Sequence, residues 1–373
     1  MEQKEIFRFN TPKHIYFGAG CIGMIKKGIV ITSPSVYEKF KNTVEKIDGE
    51  PIVFKRLSPT GEPDEEDVLK LAEKIGGRLR LVKQKDLPVV SIGGGSVIDG
   101  TKLALQFDAC AELTFEKLYS HGAACEPRVK LIAVETTSGT GTGVTAVAVV
   151  IGKDKLKRGL FGLNLIPDEA YYDPDITASV PVAVLANAGM DALTHAVESY
   201  TSRIHNVAAD TVSLKAVELL GKNLLNAFNG DVSAREQVHY GNMLAGMGFS
   251  NARLGICHAL AHLIGARFNV PHGLINAMLL PRVVDFNLEA TDRFKDVADA
   301  LGTSRDKLSL WISDLNKKMG IQESLSVLGG EFKKMIPRIA EEAAASSLMP
   351  ANPRAAAPFE IRQMLEKAFG API

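Results

Sequence analysis

A chain of 373 residues in which 43 Lys and Arg balance 43 Asp and Glu has no basic field to draw nucleic acid or an anionic membrane. With 46% hydrophobic and 23% charged residues it is a globular chain large enough for two domains, and no apolar run reaches the roughly 18 to 20 residues of a membrane span. The charged start MEQKEIFRFN lacks a signal-peptide core, and four scattered cysteines (Cys21, Cys110, Cys125, Cys257) without a CxxC pair suggest neither a disulfide framework nor a cysteine zinc site, so a cytoplasmic location is expected.

In chain order, a brief HIYF segment (14–17) precedes Gly18-Ala19-Gly20-Cys21-Ile22-Gly23, which formally matches GxGxxG. That fingerprint requires a strong strand before the glycines and a helix after them, and here the stronger strand follows, so the segment reads as a structural turn. KGIVITSP (27–34) and PIVFKRL (51–57) are strand candidates; the polar loop SPTGEPDE leads to DVLKLAEKIGGRLRLVKQ, apolar at helical spacing. LPVVSIGGGS (87–96) is a buried strand running into glycines, with the helix VIDGTKLALQF behind it, and VKLIAVETTSGTGTG (129–143) repeats the design. Such alternation predicts a mostly parallel α/β sheet. From about residue 180 the pattern is helical alone, including one long segment, 233–266. The expected division falls near Asp175 to Ser179: an α/β dinucleotide-binding domain, 1–178, and an all-α domain, 179–373.

Glycine loops after strands lie at the carboxyl edge of a parallel sheet, where ligands bind. Around Gly94, Gly95 and Ser96 a backbone without Cβ atoms can approach a pyrophosphate, and the following helix offers N–H groups, with Asp99 in its first turn. Thr136, Thr137 and Thr140 line a second loop and could bond a nucleotide or simply cap a turn. The P-loop pattern GxxxxGK[ST] is absent.

The helical half holds the densest chemistry. Asp191 and His195 stand four apart in MDALTHAVESY, as do His258 and His262 in GICHALAHLIGARFNVPHG, and His272 sits between proline and glycine as if in a turn. A spacing of four puts each pair on one helix face. One buried histidine is ordinarily a hydrogen-bonded core residue, but a carboxylate with several imidazoles on apolar helices suits Fe2+ or Zn2+. His14, His121, His205 and His239 are isolated. Phe249, Leu254 and Phe268 suggest an apolar substrate pocket.

YFGAG, SIGGGSVIDGTK, ETTSGTGTGVTA, IPDEAYYDPDI, GMDALTHAVESYTS and GICHALAHLIGARFNVPHGLINAMLLPRVVDFN together resemble the iron-containing (group III) alcohol dehydrogenases over nearly the whole chain. The resemblance implies a dehydroquinate-synthase-like architecture, a nicotinamide cofactor, a small alcohol or aldehyde substrate, a homodimer, and a metal held by Asp191, His195, His258 and His272. It further implies His262 beside the nicotinamide and substrate, here assigned as a proton relay, an aromatic against the substrate at Phe249, and cofactor contacts from Gly94, Gly95, Ser96, Asp99, Thr136, Thr137, Thr140 and Lys157. The chain departs from the family pattern twice. Gly143 replaces the glutamate of GTGSEVT, and Ser33 follows Thr32 where NAD-preferring relatives carry aspartate; Ser33 could donate to a 2′-phosphate, so NADP(H) is favoured, with Lys39 or Lys41 as possible helpers. The competing readings are a glycerol or polyol dehydrogenase of the same superfamily and a dehydroquinate-synthase-like lyase.

Overall fold

Strands buried on both faces need uninterrupted apolar runs, and three such runs form the middle of the sheet. In the computed structural model, which describes residues 7–56, 61–81, 87–322 and 324–370, these are β2 (Ile29–Thr32), β4 (Val89–Gly93) and β5 (Leu131–Glu135), buried at every position. With β1 (His14–Phe17), β3 (Ile52–Val53) and β8 (Glu169–Tyr172) they form a six-stranded parallel sheet in the order β1-β8-β5-β4-β2-β3. The helices α1 (Pro34–Ile47), α2 (Glu65–Leu81), α3 (Gly95–Ala109) and α4 (Phe115–His121) alternate with the strands. Val30, Val90 and Ile92 face one apolar layer with Val44 of α1, while Ile29, Ile31 and Val89 face another with Leu71 of α2 and Val97 of α3. Residues 57–60 and 82–84, parts of the expected strand, loop and helix, lie outside the described residues, as does the stretch 1–6.

An antiparallel hairpin, β6 (Val147–Ile151) with β7 (Lys157–Phe161), was not anticipated; it stands apart from the six-stranded sheet. Beyond β8 the described chain is helical: α5 (Pro174–Thr177), α6 (Val182–Thr201), α7 (Val207–Phe228), α8 (Val232–Ala252), α9 (Ile256–Phe268), α10 (His272–Asn287), α11 (Arg293–Leu301), α12 (Leu308–Lys318), α13 (Gly329–Ala344) and α14 (Pro358–Gly370). One apolar core, including Leu193, Leu220, Ile264 and Leu280, holds this half together. No described helix is long and apolar enough to cross a membrane.

Three expectations need correction. The segment 233–266 is two helices, because Arg253 takes a positive φ of 69° and turns the chain between α8 and α9. His272 opens α10 with Pro271 as its N-cap and does not sit in a turn. Cys110, capping α3, and Cys125 form a disulfide with Cα atoms 6.2 Å apart. The chain returns past α4 to bring them together, a closure that a spacing of 15 does not signal. Cys257 is a buried free thiol, as expected.

Candidate active site

Gly93 is the register partner of Glu135, and the Thr136 amide donates to the Gly93 carbonyl at 3.0 Å, so the two glycine loops leave the sheet side by side. The N-cap of α3, Gly94, offers no side-chain acceptor, which leaves the first turn with free N–H groups for an anion. Gly95, Ser96, Asp99, Thr137 and Thr140 line a cavity of about 400 Å3 that reaches across to the helices. The other expected cofactor residues lie outside its wall. Gly94 packs against Thr137, Thr136 is buried, and Ser33 caps α1 by accepting from the Val36 amide at 3.3 Å. Lys157 of β7 pairs with Glu62 at 2.8 Å. Asp99 already accepts from the Thr142 hydroxyl and, at 3.0 Å, from the Val149 amide, which ties α3 to the hairpin. Lys39 donates to the Ser179 carbonyl and Lys41 lies 3.8 Å from Glu45. The GxGxxG look-alike is a structural turn: its Gly20 and Ile22 amides donate to the Asp173 carboxylate, each at 3.1 Å.

The far wall is built from α6, α9 and α10. Helical spacing presents Asp191 and His195 together, and His258 and His262 together, to the cavity. Gly273 lets α10 start hard against α6, since a Cβ there would come within 2.6 Å of the Asn187 carbonyl oxygen. His272 Nε2 thereby reaches Asp191 Oδ2 at 3.0 Å. Donor atoms of Asp191, His195 and His258 lie within 4.8 Å of one another. Phe249 stacks on His195 with ring centroids 4.4 Å apart, and the His262 ring stands edge-on to His258 and His272 at 6.0 Å from each. Leu254 lines the cavity, whereas Phe268 packs in the helical core against Phe332.

Each of the three imidazoles in this cluster is tethered through Nδ1 to an oxygen. His195 meets the Gly139 carbonyl at 3.2 Å, His258 meets Glu198 at 2.6 Å, and His272 meets Glu62 at 3.1 Å. A carbonyl or carboxylate only accepts, so the Nδ1 atoms carry protons; the Nε2 atoms of His195 and His258 are left to bind, and His272 Nε2, which donates to Asp191, binds once it gives up its proton. At His258 Nε2 the Asn276 amide donates at 3.0 Å, consistent with a lone pair there. Burial pushes the His195 pKa down to about 3. Against burial, which acts to lower it, Asp191 and Glu62 raise His272 to about 10. Burial acts to raise Asp191, but His272 and His195 hold it well below the usual carboxylate range. Burial, with His258 and His272 adding to it, holds His262 well below its ordinary value, so its ring is neutral. A buried carboxylate with convergent Nε2 atoms, each fixed by an outer oxygen, fits a divalent transition metal.

Sequence reasoning missed several residues here. Glu198 stands seven after Asp191 and three after His195, so the helical period could have placed it on the same face. Glu62 and Arg56, which donates to Ser96 Oγ at 2.9 Å, come from the stretch after β3 and carried no signal. The Gly143 departure has a local counterpart. A Cβ at Gly143 would lie 3.0 Å from Glu135 Oε2, and the Gly143 amide donates to that oxygen at 2.9 Å. Glu135 thus brings a carboxylate from β5 to the place where position 143 has none. His239 is buried beneath the same loop, its Nδ1 3.0 Å from the Ser138 hydroxyl.

A nucleotide-type loop pair facing a carboxylate–imidazole cluster across one cavity fits an enzyme that uses a dinucleotide and a metal ion. The profile of iron-containing alcohol dehydrogenases matches residues 12–174, and that of the Fe-containing alcohol dehydrogenase family C-terminal region matches 185–369. The chain is 34% identical over 389 residues to the NADPH-dependent butanol dehydrogenase of Clostridium saccharobutylicum, covering 98% of each. It is 36% identical over 298 residues to an alcohol dehydrogenase of Thermococcus barophilus, covering 77% of this chain and 78% of that one. The iron-containing alcohol dehydrogenase structure from Thermococcus thioreducens superposes with a TM-score of 0.85 at 29% identity, covering 98% of this chain and 99% of the other. The chain belongs to the iron-containing alcohol dehydrogenase family. It is an oxidoreductase of alcohols and aldehydes, and the family implies a metal ion and a nicotinamide cofactor.

Proposed function

We propose that this chain reduces small primary aldehydes with NADPH at a divalent metal, iron before zinc, held by Asp191, His195, His258 and His272. The observation that carries the reading is the set of outer oxygens on the three Nδ1 atoms, which leaves the Nε2 atoms to converge near Asp191. When bound, the metal supplies Lewis acidity to the substrate oxygen and the nicotinamide carries the hydride. The first turn of α3 and the hydroxyls of Thr137 and Thr140 hold the pyrophosphate end, and Phe249 and Leu254 shield the reacting carbon from water. His262 makes no hydrogen bond to a described residue and faces the cavity. Its neutral ring relays a proton to the substrate oxygen, one nitrogen giving as the other takes.

NADPH over NADH is supported by Ser33, which stands at the end of β2 where an aspartate would repel a 2′-phosphate. The same reading divides the chain at about residue 178 and has it work as a cytoplasmic homodimer. The experiment is metal quantification, then butanal reduction with NADPH and NADH after chelation and reconstitution with Fe2+ or Zn2+. Metal-dependent NADPH oxidation is expected. Metal binding without nicotinamide turnover on any simple aldehyde refutes the reading. His262→Ala is expected to keep the metal while losing turnover, and a variant that loses the metal overturns the ligand assignment.

A further inference from the structure

The turn between α8 and α9 lets Phe249 and His258 face one cavity, and at that turn Arg253 holds φ 69° and ψ 179°. Side chains other than glycine's rarely occupy this region, and strain of this kind clusters at active sites and ligand clamps. Glycine would make the same turn without strain, yet the position carries an arginine. Its guanidinium lies over the Phe161 ring, 4.4 Å from the centroid, at the exposed mouth of the cavity.

The other charged side chains in the wall are engaged. Arg56 bonds Ser96, Glu62 pairs with Lys157 and His272, Asp99 accepts from Thr142 and Val149, and Asp191 belongs to the imidazole cluster. Arg253 has a ring beneath it and no carboxylate partner among the described residues. It belongs to neither glycine loop, and the cavity wall it shares with Phe161, Leu254 and Leu348 also carries the uncharged Ser250 and Ser347.

We propose that Arg253 is a specificity residue that binds the carboxylate of an aldehyde carrying an anionic tail, so that the natural substrate is a short ω-oxoacid. A planar guanidinium matches a carboxylate through two parallel hydrogen bonds, and the Phe161 face holds that plane in place. The apolar middle of the cavity takes the methylene chain, and the aldehyde end faces the Asp191 cluster. The reaction balances as oxoacid plus NADPH plus a proton giving hydroxyacid plus NADP+. This inference rests on the dehydrogenase reading above.

The test compares 4-oxobutanoate with butanal, which have the same number of carbons, on the metal-loaded enzyme with NADPH. The wild type is expected to favour the oxoacid in kcat/KM by at least about ten-fold, a ratio within reach of one charge-assisted pair. Arg253→Gln should collapse that ratio through KM, and Arg253→Lys should restore part of it. Succinate, which is not reduced, gives a readout without turnover: it should raise the melting temperature of the wild type and leave that of Arg253→Gln unmoved. Arg253→Gly relieves the backbone and should melt no lower than the wild type, which separates loss of recognition from loss of fold. A wild type that prefers butanal, or a ratio unmoved in Arg253→Gln, overturns the inference and leaves the dehydrogenase standing. If neither aldehyde is turned over, the small-aldehyde reading fails and the oxoacid inference with it, while a succinate shift lost in Arg253→Gln would still mark Arg253 as an anion site.

Discussion

Two clusters of buried ionisable groups flank the cavity, and they differ in where their bonding capacity points. On the sheet side, Lys102 of α3 is 1% exposed. Its ammonium donates to the carbonyls of Thr142, Thr145 and Val147 at 2.7, 2.9 and 2.8 Å, with the carboxylates of Asp99 and Glu135 contributing opposite charge. An ammonium has three protons, and all three are used. On the helical side the outer edges of the imidazoles are satisfied and their Nε2 atoms meet near Asp191. Buried charge that closes on itself fixes backbone; buried charge that stays open toward a cavity is available for chemistry. The Lys102 cluster therefore shapes the second glycine loop from behind, and the Asp191 cluster is the one proposed above as the reacting centre.

The comparison breaks most sharply when a member of the open cluster is removed. His258→Ala is expected to lose bound metal and turnover together, to the level of the chelated wild type, and to melt lower than the metal-free wild type because the buried Glu198 carboxylate loses its partner. Emission spectrometry of the purified variant checks the first part, and a variant that keeps stoichiometric metal sinks the assignment. The closed cluster should respond in the opposite sense. Lys102→Met keeps the stem but strands three buried carbonyls and two carboxylates, a loss on the order of 3–5 kcal/mol as for other broken buried pairs. Denaturant unfolding should show it, while whatever protein remains folded still binds metal.

Glu135 sharpens the contrast through pH. Burial lifts its pKa from 4.5 to about 7, although Gly143, Thr140 and Tyr172 donate to it and Lys102 lies near. A carboxyl whose folded pKa is raised stabilises the fold fully below pH 4.5, and that stabilisation is lost as pH rises through about 7. Glu135→Gln has no such dependence. Its stability relative to the wild type should therefore improve on going from pH 4.5 to above 7, by up to on the order of 3 kcal/mol. Lys102, lowered by burial to about 8, stays charged over most of that window. Parallel stability curves for the two proteins would remove the case for a strained carboxyl at this site.

What the sequence made legible follows the same divide. Asp191, His195, His258 and His262 could be grouped because a helix converts spacing of four into adjacency. The glycine loops could be placed because an apolar run read as a strand fixes which end they leave. Contacts joining distant segments were not legible. Glu62 meets His272 across 210 residues, the hairpin β6–β7 leaves the sheet to cover α3, and Cys110 finds Cys125 only because α4 turns back. The turn at Arg253 was hidden for another reason, since helical periodicity runs on through ARLG as though it were unbroken. Lys157 reads as a cofactor lysine by position, and its engagement with Glu62 depends on the fold of a loop that carries no pattern.

The smallest expected effect probes the boundary between the two clusters, where a fixed outer oxygen serves an open site. Glu198 accepts from His258 Nδ1 at 2.6 Å through one oxygen and from the Cys257 amide at 2.7 Å through the other, so both of its oxygens face donors. In Glu198→Gln one of those donors must face an amide NH2. If the ring loses its partner, the orientation of His258 Nε2 loosens and metal affinity should fall about 10- to 100-fold, the range found when outer partners of metal-bound histidines are removed. If the Cys257 amide is the one left facing nitrogen, the start of α9 suffers and stability falls with affinity unchanged. Competition with a chelator of known affinity, measured beside the metal-free melting temperature, separates the two. Weaker metal binding at an unaltered melting temperature makes Glu198 a positioning residue for the centre, and the reverse makes it part of the closed, structural kind.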